Sequence, residues 1–220
     1  MTHDNNNVLS LTTLVGHDVR AALFDFDGVL MDTEGLYTEF WDTMGSRFTH
    51  DADFAAKVKG QTLKQIFDGY FAGRDADQEQ IVMLLDAYER GMRYEYIKGA
   101  REFVEHLRRR GVLTAVVTSS NDKKMANVYR THPEFKGMFD AILTSEHFAE
   151  SKPSPCCYLA AMQRLGVRAE ESVVFEDSFH GLASGRASGA FVVALATTNP
   201  REAIAACADA VLADFAGIAP

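Results

Sequence analysis

At 220 residues the chain is long enough for one α/β domain with an insertion, or for two small domains, and for a substantial core. A composition of 47% hydrophobic and 24% charged residues is that of an ordinary soluble globular protein, and a net charge of -9 argues against nucleic-acid or anionic-membrane partners, because the long-range field repels polyanions. No apolar run approaches the ~20 residues that cross a bilayer, and three cysteines, two of them adjacent at Cys156 and Cys157, give neither a disulfide framework nor a metal-ligand spacing.

Residues 1–19 begin with polar His3-Asp4-Asn5-Asn6-Asn7 and lack the basic start and continuous apolar core of a secretory leader, so the expected compartment is the cytoplasm. This segment is expected to be a loosely held arm, partly helical over residues 8–15. Residues 21–26 form an apolar run that ends in Asp25-Phe26-Asp27-Gly28, as a parallel strand covered on both faces would end in a loop. Ligands of open α/β sheets bind beyond such carboxyl ends. Two carboxylates one residue apart repel, and a hard cation resolves the conflict; Mg²⁺, which pairs one or two carboxylates with phosphate oxygens, is the ion expected. The alternative is an acidic turn with Gly28 supplying an unusual φ.

The pattern then turns helical. Residues 34–47 carry Leu36, Phe40, Trp41 and Met44 at helical spacing, and residues 54–58, 63–71 and 78–94 continue the run, with Gly60 and Gly73 as breaks. Residues 33–94 are thus expected to be an all-helical insert. Alternation resumes with helices over 100–110, 121–131, 156–165, 181–188 and 201–207. Strands are expected over 113–118, 139–144, 172–175, 191–195 and 210–212. Repeated β-α-β crossovers imply an α/β fold with a Rossmann-like parallel sheet and helices on both faces. Residues 20–32 and 95–220 would form this core.

Three further strand or loop ends carry reactive groups. Thr118-Ser119-Ser120-Asn121 offers hydroxyls and free N–H groups to phosphate oxygens, or else simply caps a helix. Lys152, stiffened between Ser151 and Pro153, could neutralise a transferring phosphoryl group, or be a surface lysine. Glu176-Asp177 ends a strand in two acids that could hold or orient a metal, or serve a helix start. In a parallel sheet all of these ends open on one edge.

In this order, Asp25-Phe26-Asp27-Gly28-Val29-Leu30, Thr118-Ser119, Lys152-Pro153 and Glu176-Asp177-Ser178 resemble the four motifs of the haloacid dehalogenase-like superfamily. The helical insert resembles the cap of its β-phosphoglucomutase-like phosphatases. The resemblance implies Asp25 as nucleophile, forming an aspartyl-phosphate, and Asp27 as general acid and base. It implies Mg²⁺ held by Asp25, the carbonyl of Asp27 and Asp177 with Glu176 in support, and a phosphoryl grip of Thr118, Ser119 and Lys152. Asp27 favours phosphate esters over carbon–halogen bonds, because an ester leaving oxygen needs a proton.

The activity implied is hydrolysis of a small phosphorylated metabolite, a sugar or polyol phosphate, by a monomer or weak homodimer. A hexose-phosphate mutase and a catalytically silent phosphate-binding protein are the alternatives. Against the mutase, Tyr37 stands where it carries histidine, and Leu63 follows Lys59-Gly60-Gln61-Thr62 where it carries a phosphate-gripping arginine. Gly60, Gln61 and Thr62, with Lys59 and Lys64, are candidates to face the substrate, or only to cap the helix that follows. Phe40 and Trp41 could stack on a sugar ring, though core packing suits their spacing, and His180 fits a role outside metal ligation.

Overall fold

The computed structural model describes residues 9–216, 218 and 219. β1 (Leu9–Ser10) and α1 (Leu11–Val15) lead into β2 (Ala21–Phe24). Four helices follow: α2 (Glu34–Phe48), α3 (Phe54–Val58), α4 (Leu63–Tyr70) and α5 (Asp75–Gly91). Alternation then runs through α6 (Ala100–Arg109), β3 (Leu113–Val117), α7 (Asp122–Thr131), β4 (Ala141–Leu143), α8 (Cys156–Leu165) and β5 (Ser172–Glu176). It closes with α9 (Phe179–Ala187), β6 (Phe191–Leu195), α10 (Arg201–Ile204), β7 (Ala210–Leu212) and β8 (Ile218–Ala219).

Six strands form one sheet in the order β4-β3-β2-β5-β6-β7, every pairing parallel. This is the α/β arrangement expected from the alternation. The period of two sorts each strand between faces. Ala22 and Phe24 of β2 join a core with Phe103, Val104 and Leu107 of α6 and Met125 and Val128 of α7, whereas Ala21 and Leu23 face Cys157, Tyr158, Ala161 and Met162 of α8. Phe24 stacks on Phe175 at 4.8 Å between ring centres, so the two central strands are locked at the end where the acids emerge. Register completes the alignment. Phe24 pairs with Val116 on one side and Phe175 on the other, which brings Asp25, Thr118 and Asp177 out at one edge.

Helices α2 to α5 keep a core of their own, built of Phe40, Trp41, Met44, Phe54, Ala55, Val58, Ile66, Phe71 and Ile81. Two chain crossings join this insert to the sheet, and they pair with each other: Asp32 N donates to Glu95 O at 2.8 Å and Ile97 N to Leu30 O at 2.9 Å. The fourth helix starts at Asp75, before the expected residue 78, because Asp75 and Asp77 suit a first turn and Arg74 holds Asp77 at 2.7 Å.

The helix expected within residues 8–15 is present as α1, but the N-terminal segment, where described, is not loosely held. Its residues 1–8 lie outside the described residues, but β1 pairs in parallel with β8 near the far end of the chain, and α1 buries Leu11 and Val15 in the α6 side of the core. Leu11 is only 3% exposed. Four-residue spacing puts both side chains on one helical face, and Gly16, at φ 85°, ends the helix in the left-handed region.

Candidate active site

Beyond β2 the chain turns sharply through Gly28, whose φ is 75°. A Cβ there would lie 2.1 Å from Asp177 Oδ2, so only glycine lets the two loops approach. Asp25 N still donates to Phe175 O at 3.0 Å, extending the ladder by one bond and fixing the Asp25 side chain at the sheet edge.

Lys152 lies beneath that edge, 3% exposed. Its three ammonium protons meet three acceptors: Asp25 Oδ1 at 2.5 Å, Glu176 Oε1 at 2.6 Å and Val117 O at 3.1 Å. Glu176 is itself saturated. Tyr158 donates to its Oε1 at 2.7 Å, while Oε2 accepts from Asp177 N at 3.1 Å and Ser178 Oγ at 3.3 Å. Burial works against the Lys152 charge, but Asp25 and Glu176 outweigh it and hold the ammonium above its usual pKa. Burial pushes the Asp25 carboxyl up to about 7, with Lys152 opposing and Glu176 and Asp27 adding to the rise.

Asp177 differs from its neighbour. Its backbone carbonyl accepts from Asn199 at 2.9 Å, yet its buried Oδ2 has no hydrogen-bond partner among the described residues, and neither does the buried Thr198 Oγ1. Burial, then Glu176, Glu34 and Asp25, raises its pKa well above the carboxylate range. An unpartnered buried carboxylate oxygen is costly unless a cation meets it. Carboxylate oxygens of Asp25, Glu176 and Asp177 lie within 4.8 Å of one another. This donor set of hard oxygens fits a Mg²⁺ ion, with Asp177 the free ligand and Glu176 committed to Lys152 and Tyr158.

Asp27 lines the same cavity as this cluster. Thr33 donates to its Oδ1 at 2.5 Å, Ser120 to its Oδ2 at 3.0 Å, and Lys124 Nζ lies 2.6 Å from both oxygens. Its carboxylate is therefore held by three protein donors, and its backbone carbonyl is the oxygen left for a metal.

The site opens into a cavity of about 390 Å³ between the sheet edge and the helical insert. Asp25, Asp27, Ser119, Lys152 and Asp177 line its floor, and Tyr37, Trp41, Gly60, Gln61, Thr62 and Glu89 line its walls and roof. Thr118 does not reach it: the residue is buried, and its hydroxyl accepts from Ser120 N at 3.0 Å, bracing the turn that presents Ser119 and Ser120. Thr62 lines the cavity while capping α4, accepting from Gln65 N at 3.3 Å. Gln61 donates to Lys57 O at 2.8 Å, and Gly60 packs against Ser178 and His180. Trp41 reaches the cavity, whereas Phe40 packs on it and on Tyr88. Overhead, Lys59 pairs with Glu34 at 3.4 Å, and the 83% exposed Lys64 pairs with Asp68 at 2.5 Å. Gln65 Nε2 donates to Lys152 O at 3.3 Å, tying the insert to the lysine loop.

Lys124 and Tyr158 escaped the sequence reading. Each acts through a neighbour that the reading did find, and each owes its position to helix azimuth, which no local pattern signals.

Comparison with known proteins agrees with this geometry. The profile described as haloacid dehalogenase-like hydrolase matches residues 22–195. A β-phosphoglucomutase of Mycobacterium bovis is 28% identical, covering 90% of each chain. The validoxylamine A 7'-phosphate phosphatase of Streptomyces hygroscopicus is also 28% identical, over 89% of this chain and 94% of its own. The crystal structure of an Entamoeba histolytica HAD hydrolase of family IA superposes with a TM-score of 0.79 at 23% identity, covering 91% of this chain and 96% of that one, which shows a common fold.

Proposed function

The chain belongs to the haloacid dehalogenase-like hydrolase family, and we propose that it is a Mg²⁺-dependent phosphoric monoester hydrolase acting on a small sugar or polyol phosphate. The observation that carries the reading is the meeting of Asp25, the Lys152 ammonium 2.5 Å away and the unpartnered buried oxygen of Asp177 on one cavity floor. Asp25, Asp177 and the Asp27 carbonyl would hold the metal. When bound, Mg²⁺ supplies positive charge against the phosphoryl oxygens.

Asp25 attacks phosphorus, a P–O(Asp25) bond forms, and the ester P–O bond breaks as Asp27 gives its proton to the departing alkoxide. Water then loses a proton to the Asp27 carboxylate and attacks phosphorus, restoring the Asp25 carboxylate and releasing inorganic phosphate. The Ser119 turn holds the phosphoryl oxygens through both steps, and Lys152, fixed by Glu176, sets its positive charge beside Asp25 where negative charge develops. Helices α2 to α5 form a cap domain over residues 33–94 that shields the site from bulk water.

Resemblance to a β-phosphoglucomutase favours the mutase as second reading. It needs a grip for a second phosphate, whereas Lys59 is neutralised by Glu34 and Lys64 is exposed and paired. With Glu34 and Glu89 also on the cavity wall, an uncharged, hydroxyl-bearing leaving group fits better than an anionic one. The test is incubation with Mg²⁺ and a panel of sugar phosphates, polyol phosphates, phosphoglycolate, nucleotides and β-glucose 1-phosphate, reading free phosphate and glucose 6-phosphate together. Mg²⁺-dependent phosphate release supports the hydrolase; glucose 6-phosphate without phosphate release overturns it for the mutase.

A further inference from the structure

Lys124 is a lysine at a depth that lysines rarely occupy. It is 3% exposed, and its ammonium lies 2.6 Å from both oxygens of Asp27, 4.4 Å from the centre of the Tyr37 ring and 5.2 Å from that of Phe26. Its backbone is fixed too, since Asn121 caps α7 by accepting from Lys124 N at 2.8 Å. A buried ion pair is a poor source of stability, because desolvation offsets most of the attraction. What the pair does supply is place: the Lys124 ammonium draws both oxygens of Asp27 to one point, and Thr33 on Oδ1 with Ser120 on Oδ2 then sets the plane of the carboxylate.

We infer that Lys124 is a positioning residue for Asp27, aiming its carboxyl at the leaving oxygen of the substrate. The inference rests on the hydrolase reading. Lys124 follows the Ser119-Ser120 turn directly and touches Tyr37 of α2, whose hydroxyl donates to Glu89 of α5 at 2.8 Å. The proton donor and the helical insert thus meet at one ammonium, and the Ser120 hydroxyl reaches the same carboxylate. The role concerns a single event, protonation of the alkoxide as the ester bond breaks. An ester whose leaving group departs without a proton has no use for it.

The test compares kcat/KM for glycerol 3-phosphate with that for p-nitrophenyl phosphate, in wild type and in Lys124→Met, which keeps the apolar stem against Phe26 and Tyr37. This ratio reports the first bond cleavage alone, before the hydrolytic step common to both esters. The alkyl ester is expected to lose about ten- to a hundredfold and p-nitrophenyl phosphate less than about threefold, because only the former depends on general acid catalysis. In an Asp27→Asn background, Lys124→Met is expected to add no further discrimination. Lys124→Gln is measured alongside, and thermal melting verifies that each variant folds. Equal losses on both esters, or no loss on either, overturn the inference while leaving the hydrolase reading intact. A wild type that releases phosphate from neither ester overturns the reading and the inference together.

Discussion

Replacing Gly181 by alanine should harm this protein, although the same change inside a helix ordinarily helps. Gly181 lies in the first turn of α9, and a Cβ on it would fall 1.9 Å from the Glu176 carboxylate carbon. That carboxylate has nowhere to retreat: it is fully buried and accepts from Lys152, Tyr158, Asp177 N and Ser178 Oγ. Displacing it breaks a buried ion pair, an event that costs about 3–5 kcal/mol. The helix gains at most ~1 kcal/mol from exchanging glycine for alanine, so the loss wins. At about 2–4 °C per kcal/mol for a chain of this size, melting should fall by roughly 5–15 °C. Lys152 would lose its anchor beside Asp25, and turnover should fall with it. The control is Gly69→Ala in α4, where a Cβ meets nothing within 4 Å. There the helix propensity acts alone, and stability should rise by about 0.5–1 kcal/mol. Calorimetry on both variants decides the matter. A Gly181→Ala protein as stable as Gly69→Ala would refute the reasoning.

Two more expectations follow from burial. Leu11→Ala removes a side chain packed into the main core and should cost about 2–5 kcal/mol in denaturant unfolding, whereas a cost below ~0.5 kcal/mol would mean that α1 does not hold to the sheet. In metal-free protein, the raised pKa values of Asp25, about 7, and Asp177 mean that the folded state keeps protons that the unfolded chain releases near pH 4. Stability is therefore full below that pH and, for Asp25, is lost as pH rises through about 7, at about 1.4 kcal/mol per pH unit, with Asp177 acting in the same direction. Mg²⁺ binds the deprotonated acids, so its gain in melting temperature should grow from about pH 5 to about pH 8; a gain that shrinks over that range would contradict the assignment.

Much of this site could be read along the chain because its acids follow strands, and strands announce themselves. The run before Asp25 is apolar and short, the register of parallel neighbours follows from the crossovers, and Asp177 and Lys152 then have one edge to occupy. Lys124 is different. It stands 97 residues from Asp27, and only the azimuth of α7 turns it inward. Tyr158 reaches Glu176 the same way from α8. Gly181 looks like a helix weakness until the carboxylate beneath it is seen. In the N-terminal segment α1 is legible from its spacing, but the pairing of β1 with β8, near the opposite end of the chain, lies beyond any local pattern. Thr118 was placed correctly at its strand end, but a two-residue turn decides which hydroxyl faces the cavity, and Ser119 and Ser120 face it instead.

The central claim is that Asp25 carries the phosphoryl group. Acid quenching during turnover of the best substrate from the panel, followed by peptide mass spectrometry, tests it most directly. One phosphoryl group on Asp25, absent from Asp25→Asn and from samples without Mg²⁺, is the result predicted. Phosphate release that continues in Asp25→Asn, with wild-type Asp25 unmodified throughout turnover, would contradict it.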